Sequence, residues 1–199
     1  MSKKKAHGVQ LLIRCVVTDP NGKVISDTGR KPARSFVIQF LEWLYILMNN
    51  PGLGYATGVG GGEILIYSPG IQVATQFIIN AGANNSLFGI VVGTGDTAED
   101  NEDNKLETQL LEGAGAGQIT HGAMVMGTAG VVGANVDLVL KRAFTNNTGS
   151  AILVKEAGIY FRCTYAGRNF CIVRDVFPGP VNVPDKCSLA VFYTVRTTV

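Results

Sequence analysis

Apolar residues recur along the chain in short blocks bounded by turn-forming residues, and the blocks are strand-sized. They run from 64 to 67, 76 to 79, 87 to 92, 119 to 126, 136 to 144, 152 to 161, 170 to 177 and 189 to 195. In the last of them Leu189, Val191, Tyr193 and Val195 share one face, while Thr194, Arg196 and Thr198 share the other. Blocks of this length, with no helical segments between them, predict antiparallel strands in a sandwich or barrel rather than alternating helices and parallel strands. Residues 8–18 and 23–26 flank Asp19-Pro20-Asn21-Gly22, in which proline presets φ and Asn-Gly accepts positive φ, so the first element reads as a β-hairpin.

One segment breaks the pattern. Residues 36–48, entered through Ser35 as N-cap and closed by Asn49, Asn50 and Pro51, predict a helix whose polar positions are only Gln39 and Glu42. A helix apolar nearly all round needs cover on most sides, from its own core or from a neighbouring subunit. Phe36, Phe40, Trp43, Leu44 and Leu47 are the candidate subunit contacts, each contributing roughly 1.5 to 3 kcal/mol when buried. Glycines 52, 54, 58, 60, 61 and 62 follow and read as a flexible arm. The expected organisation is a basic tail, hairpin, apolar helix and glycine-rich arm over 1–63, then a β-sandwich over 64–199. The fold class is mainly β: an antiparallel β-sandwich, jelly-roll or Ig-like, with one N-terminal α-helix.

Composition narrows this picture. At 199 residues, 46% hydrophobic and 16% charged, the chain has the makings of a folded core, and no apolar run reaches the length of a membrane span. A soluble, unsecreted product with no membrane partner is expected. Net charge of +2 is low for a nucleic-acid binder, although Lys3, Lys4 and Lys5 form a basic tail that could touch DNA. Cys15, Cys163, Cys171 and Cys187 match no zinc spacing and read as buried thiols. A hairpin centred on Gly167 would bring Cys163 and Cys171 opposite one another.

Few motifs suggest chemistry. Gly93-Thr94-Gly95-Asp96-Thr97-Ala98 follows an apolar strand and has the outline of a dinucleotide fingerprint, the basis of an alternative reading as a nicotinamide-dependent oxidoreductase. The acidic residues that follow would repel a pyrophosphate. The same segment offers Asp96, Asp100 and Asp103 as candidate calcium ligands, without the register of an EF-hand. His7 and His121 are the only histidines, and neither has an evident catalytic partner; no catalytic residue, cofactor or firm metal site is expected. Asn84-Asn85-Ser86 and Asn146-Asn147-Thr148 match glycosylation acceptors but read as turns.

Residues 89–98, the acidic stretch with Leu106-Glu107-Thr108, then 142–152, Lys155-Glu156-Ala157-Gly158-Ile159-Tyr160, Arg174-Asp175-Val176-Phe177, Val181-Asn182-Val183 and the closing Tyr193-Thr194-Val195 resemble together a pattern recurrent in tailed-bacteriophage virion proteins. The resemblance covers roughly the last 110 residues. It implies a non-enzymatic structural component of capsid, neck or tail, made in the host cytoplasm and residing in the virion, that assembles with itself and with other virion proteins. A host-receptor or carbohydrate-binding tail module is the alternative within that class, with Tyr55, Tyr67 and Tyr165 as its candidate aromatic platform.

Overall fold

The computed structural model of the chain describes residues 8–33, 36–49, 53–67, 77–163 and 167–198, with backbone alone at 45–49, 53–54 and 66–67. Lys3, Lys4, Lys5, His7, Ser35 and Tyr165, and the side chains of Leu47 and Tyr67, lie outside the described residues. The described chain is mainly β with one helix. A large sheet runs in the order β2 (Val24–Asp27), β1 (Gly8–Thr18), β13 (Ser188–Thr198), β10 (Asn135–Thr145), β8 (Gln118–Met126) and β7 (Leu111–Glu112). Two short strands extend it, β3 (Lys31–Pro32) on β1 and β9 (Gly130–Val132) on β10. A second sheet has the order β12 (Arg168–Val183), β11 (Ile152–Cys163) and β6 (Gly89–Gly93). A separate hairpin joins β4 (Leu53–Thr57) to β5 (Glu63–Tyr67).

The strand alternation explains the packing. In β1 every second residue, Leu11, Ile13, Cys15 and Val17, points inward, and the register sets Ile13 against Tyr193, Cys15 against Val191 and Val17 against Leu189. The same row continues into Leu140 and Phe144 of β10. Against it the second sheet packs Ile90, Val92, Val154, Ile159, Phe161, Phe170, Val181 and Val183, so both sheets share one core. The opposite face of the second sheet is covered as well: Val91, Tyr160 and Cys171 pack with Val37, Ala81, Phe88 and Leu106. Burial on both faces accounts for β6, which is Gly-Ile-Val-Val-Gly with no alternation. The division expected at 63/64 falls at the start of β5, and elements on both sides of it contribute to the shared core.

The expected first hairpin forms, with Gly22 at φ 82° and the Asp19 N–H donating to the Lys23 carbonyl. Part of the expected glycine arm is instead paired structure, since residues 53–57 pair with 63–67 around a turn with Gly61 at φ 79°. Cys163 does not face Cys171. The register places Cys163 against Arg168 and Cys171 against Tyr160, with the two thiols in different clusters on opposite faces of the sheet. The pairing of Cys163 with Arg168 and a bulge between Ile159 and Tyr160 set this register.

The helix, α1 (Ile38–Asn49), sits with Trp43 fully buried and its ring edge-on to Phe161 at 4.6 Å and Phe170 at 5.1 Å. Trp43 is therefore a core residue of its own chain, which corrects its assignment as a subunit contact. Phe40 packs against the same core, Leu44 is half-buried, and Phe36 stacks on Phe40 at 4.3 Å with 36% of its surface exposed. The outward positions are Ile38 and Leu41, 43% and 63% exposed, while Gln39 is buried. Trp43→Ala is expected to lower unfolding free energy by about 3 to 5 kcal/mol through cavity formation. Urea melts at two protein concentrations check this: loss of an intrachain contact gives the same midpoint shift at both.

Candidate functional site

The densest polar cluster is built on two adjacent residues of the second sheet. Glu156 of β11 stands between Gly93 of β6 and Val176 of β12, with no exposed surface. Its Oε1 accepts the N–H groups of Gly95 at 3.1 Å and Thr108 at 2.8 Å. Its Oε2 accepts the Glu107 N–H at 3.1 Å and Arg174 Nε at 3.0 Å. Arg174 of β12, 1% exposed, uses its other nitrogens on Asp103 Oδ2 at 2.7 Å, the Ala98 and Thr97 carbonyls, and Thr97 Oγ1. Burial alone would lower the Arg174 pKa, but Asp103 and Glu156 outweigh it and hold the guanidinium above its ordinary value.

This cluster explains the Gly-x-Gly spacing. A Cβ at Gly93 would lie 2.5 Å from Glu156 Oε1 and from the Thr108 carbonyl, and one at Gly95 would lie 2.7 Å from the same carboxylate oxygen. The glycines let backbone approach a carboxylate, and no helix begins at Gly95. The phosphate-binding geometry of a dinucleotide fingerprint is absent here, because its positive helix end is missing.

The acidic segment folds onto the same centre. Glu107 Oε2 accepts the N–H groups of Asp96 and Thr97 and the Thr97 hydroxyl at 2.8 to 2.9 Å, and the Thr97 contacts hold its carboxyl below the ordinary range. Asp96 pairs with Lys155 at 2.6 Å, which depresses its pKa. Asp100 Oδ1 caps the Glu102 N–H, Asp103 Oδ2 takes the Asp100 N–H together with Arg174, and Glu99 Oε1 takes the Val176 N–H. Asp96, Asp100 and Asp103 thus turn to different partners. Among the described residues no group of three His, Cys, Asp or Glu side chains gathers as a metal site.

Two further polar centres brace the core. Arg142, without exposed surface, donates from Nε to the Gly122 carbonyl, from one terminal nitrogen to the Phe88 and Ile90 carbonyls, and from the other to the Gly82 and Asn85 carbonyls. That uses all five guanidinium N–H donors on backbone, while burial draws its pKa down to about 10. His121 faces Glu112 through Nδ1, and its Nε2 has no partner, so no hydroxyl or thiol completes a triad. Tyr193, fully buried, donates its hydroxyl at 2.9 Å to Asp175, which lines a cleft of about 510 Å³. Ile13, Cys15, Lys31, Phe177 and Pro178 are among its lining, and burial pushes the Cys15 thiol up to about 12. Asn146 is buried, bonding the Ser150 and Val183 carbonyls, and holds the 145–150 turn. Tyr55 is exposed on β4.

Glu156, Arg174, Arg142 and Glu112 carry most of this polar structure, and none stood out as a site in the sequence. The available signal was a charge inside an apolar strand: Glu156 between Val154 and Ala157, Arg174 after Ile172 and Val173, Arg142 between Leu140 and Phe144. Chemically the arrangement is closed. The Glu156 oxygens and the Arg174 nitrogens all have protein partners, which makes the cluster a clamp on the 94–108 segment.

Glu156→Ala should destabilise the protein by about 3 to 5 kcal/mol, because it removes one of the two carboxylates on Arg174 and the acceptor of the Gly95, Glu107 and Thr108 N–H groups. A Glu156→Gln/Arg174→Met double variant should lose less than the sum of its two single changes, as a double-mutant cycle in urea will show. Acid should free the segment too. Asp96 and Glu107 are held below their ordinary values of 3.8 and 4.5, so their contribution is present above those values and is lost as pH falls through the lowered ones. Limited proteolysis between 96 and 107 should accelerate over that window and remain slow at neutral pH. Comparison of the chain with family models, curated proteins and solved structures finds no match.

Proposed function

We propose that the chain is a non-enzymatic structural subunit of a tailed-bacteriophage particle, in capsid, neck or tail, acting by self-association and by contacts with other virion proteins. The observation that carries this reading is the seat of α1, which turns Ile38 and Leu41 to solvent while burying Gln39. An isolated globular chain gains by the opposite arrangement, and an outward apolar stripe gains when a neighbour covers it. Tyr55 on β4, Leu65 on β5 and Phe36 before α1 add exposed apolar surface on the N-terminal elements.

The closed polar clusters support the same reading, since their donors and acceptors stabilise loops rather than await a substrate. Within the mainly β architecture, a β-sandwich of jelly-roll or Ig-like type is the finer assignment we favour, both of which carry Greek-key connections. The last long strand, β13, returns to lie beside the first, β1, in the large sheet, the long-range return of a Greek key.

Light scattering on the purified chain is expected to give a defined multimer. Leu41→Asp should abolish it while leaving far-ultraviolet circular dichroism close to the parent, because Leu41 is outside the core. A monodisperse monomer whose behaviour is indifferent to Leu41→Asp would overturn the proposal.

A further inference from the structure

The interior of the large sheet holds one imidazole that the clamp and the assembly reading leave unused. His121 lies on β8 without exposed surface, edge-on to Phe144 with ring centroids 5.1 Å apart. Nδ1 is 3.0 Å from Glu112 Oε2 and 2.9 Å from the Ile119 carbonyl, both acceptors, which places the ring proton on Nδ1. Nε2 is then a lone pair turned into the interior, with no hydrogen-bond partner.

The charged groups that face the ring are Glu112 from β7 and Arg142 from β10. Segment 77–88, which packs against β8, contains no ionisable side chain. Arg142 is bonded to carbonyls throughout, and Glu112 is the carboxylate whose field reaches it. One carboxylate therefore balances one buried cation.

The same residues fasten the edge of the sheet. Glu112 Oε2 accepts the His121 N–H at 2.7 Å, the His121 carbonyl accepts the Asn84 N–H at 2.8 Å, and the Ala81 carbonyl accepts the Met124 N–H at 2.8 Å. Arg142 ties Gly82 and Asn85 to Gly122.

We infer that His121 is an acid-operated latch on the β7–β8 edge. A proton on Nε2 has no acceptor and sets a second cation near Arg142 with Glu112 alone to balance both. The closed form excludes it, and acid opens β7, β8 and segment 77–88 while β11 and β12 stay closed. Leu87 and Leu111, 60% and 54% exposed on these pieces, are the apolar surface that opening enlarges.

The sign follows from linkage. Burial, and then Arg142, hold the ring below its ordinary value of 6.5, whereas the opened segment titrates near that value. The latch is fully effective above it. It weakens as pH falls through the ordinary value, by up to about tenfold in the opening equilibrium per pH unit, and levels off at the lowered pKa of the closed form.

Hydrogen-exchange mass spectrometry of the full chain at about pH 7.5 and about pH 5, corrected for intrinsic rates, tests this. Peptides spanning 77–88 and 111–126 should lose protection by about tenfold or more on acidification, with those spanning 152–163 and 168–183 unchanged. His121→Gln, whose amide still donates to Glu112 but does not titrate, should abolish the difference. Equal protection at both pH values in the parent, or an undiminished acid response in His121→Gln, overturns the latch. Should that variant fail to fold, imidazole NMR of the parent decides: a histidine that stays neutral through pH 6.5 supports the latch, and ordinary titration of both histidines refutes it. These readouts are indifferent to the multimeric state of the sample, so failure here leaves the assembly reading standing.

Discussion

The buried pair Glu156 and Arg174 sets the terms for half of this structure. A carboxylate and a guanidinium withdrawn from water are costly unless nearly every lone pair and N–H finds a partner. Two neighbouring strands cannot supply those partners by themselves, so the chain between β6 and β8 is drawn in to provide them. Gly95, Glu107 and Thr108 give N–H groups, while Thr97, Ala98 and Asp103 give oxygens. A segment rich in like charges, which would repel itself in isolation, is ordered because its carboxylates are distributed over Arg174, Lys155 and backbone donors. Leu106 is buried as a consequence, its N–H donated to the Tyr160 hydroxyl, and this closes the outer face of the second sheet.

The same economy of partners protects the open edge of β12. Val173 bridges Phe36, the Ile172 carbonyl accepts the Val37 N–H, and Glu99 takes the Val176 N–H. Beyond it stand Pro178 and Pro180, which have no N–H to offer. Charge, proline and a short crossing segment are the recognised ways in which a sheet edge is kept from pairing indiscriminately. Strand addition at this edge is thereby disfavoured.

The strands were legible in the sequence because their determinants are local. Alternation in β1 and β13, Asn-Gly at the first turn and glycine-bounded apolar blocks all report on a residue's immediate neighbours. The side of α1 that faces the core was not legible, since a helix apolar all round gives no preferred face; the aromatic shelf of Phe161 and Phe170, more than a hundred residues downstream, selects Trp43. The hairpin register at 163 and 171 was not legible for a related reason: Cys163 pairs with Arg168, three residues from Cys171, and neither alternation nor composition fixes where a hairpin centres. The polar cluster showed in the sequence only as a dinucleotide-like outline that its own acidic residues argued against. Gly93 and Gly95 resemble a phosphate loop because both arrangements need backbone to approach an anion closely, and here the anion is Glu156, sixty-odd residues away in the chain.

Polar groups and apolar groups have thus exchanged their usual places at two levels. Buried Glu156, Arg174 and Arg142 are satisfied by backbone, so they hold loops in one conformation and leave little unfulfilled chemistry for a substrate. Ile38 and Leu41 are exposed although Gln39, Glu42 and Trp43 each bury a polar atom without a partner on the inner side of α1. Rotating the helix to hide its apolar side would relieve those three atoms but would withdraw Trp43 from Phe161 and Phe170. The aromatic contact wins, and three unpartnered polar atoms beneath α1, with Ile38 and Leu41 left on its surface, are its cost in the single chain.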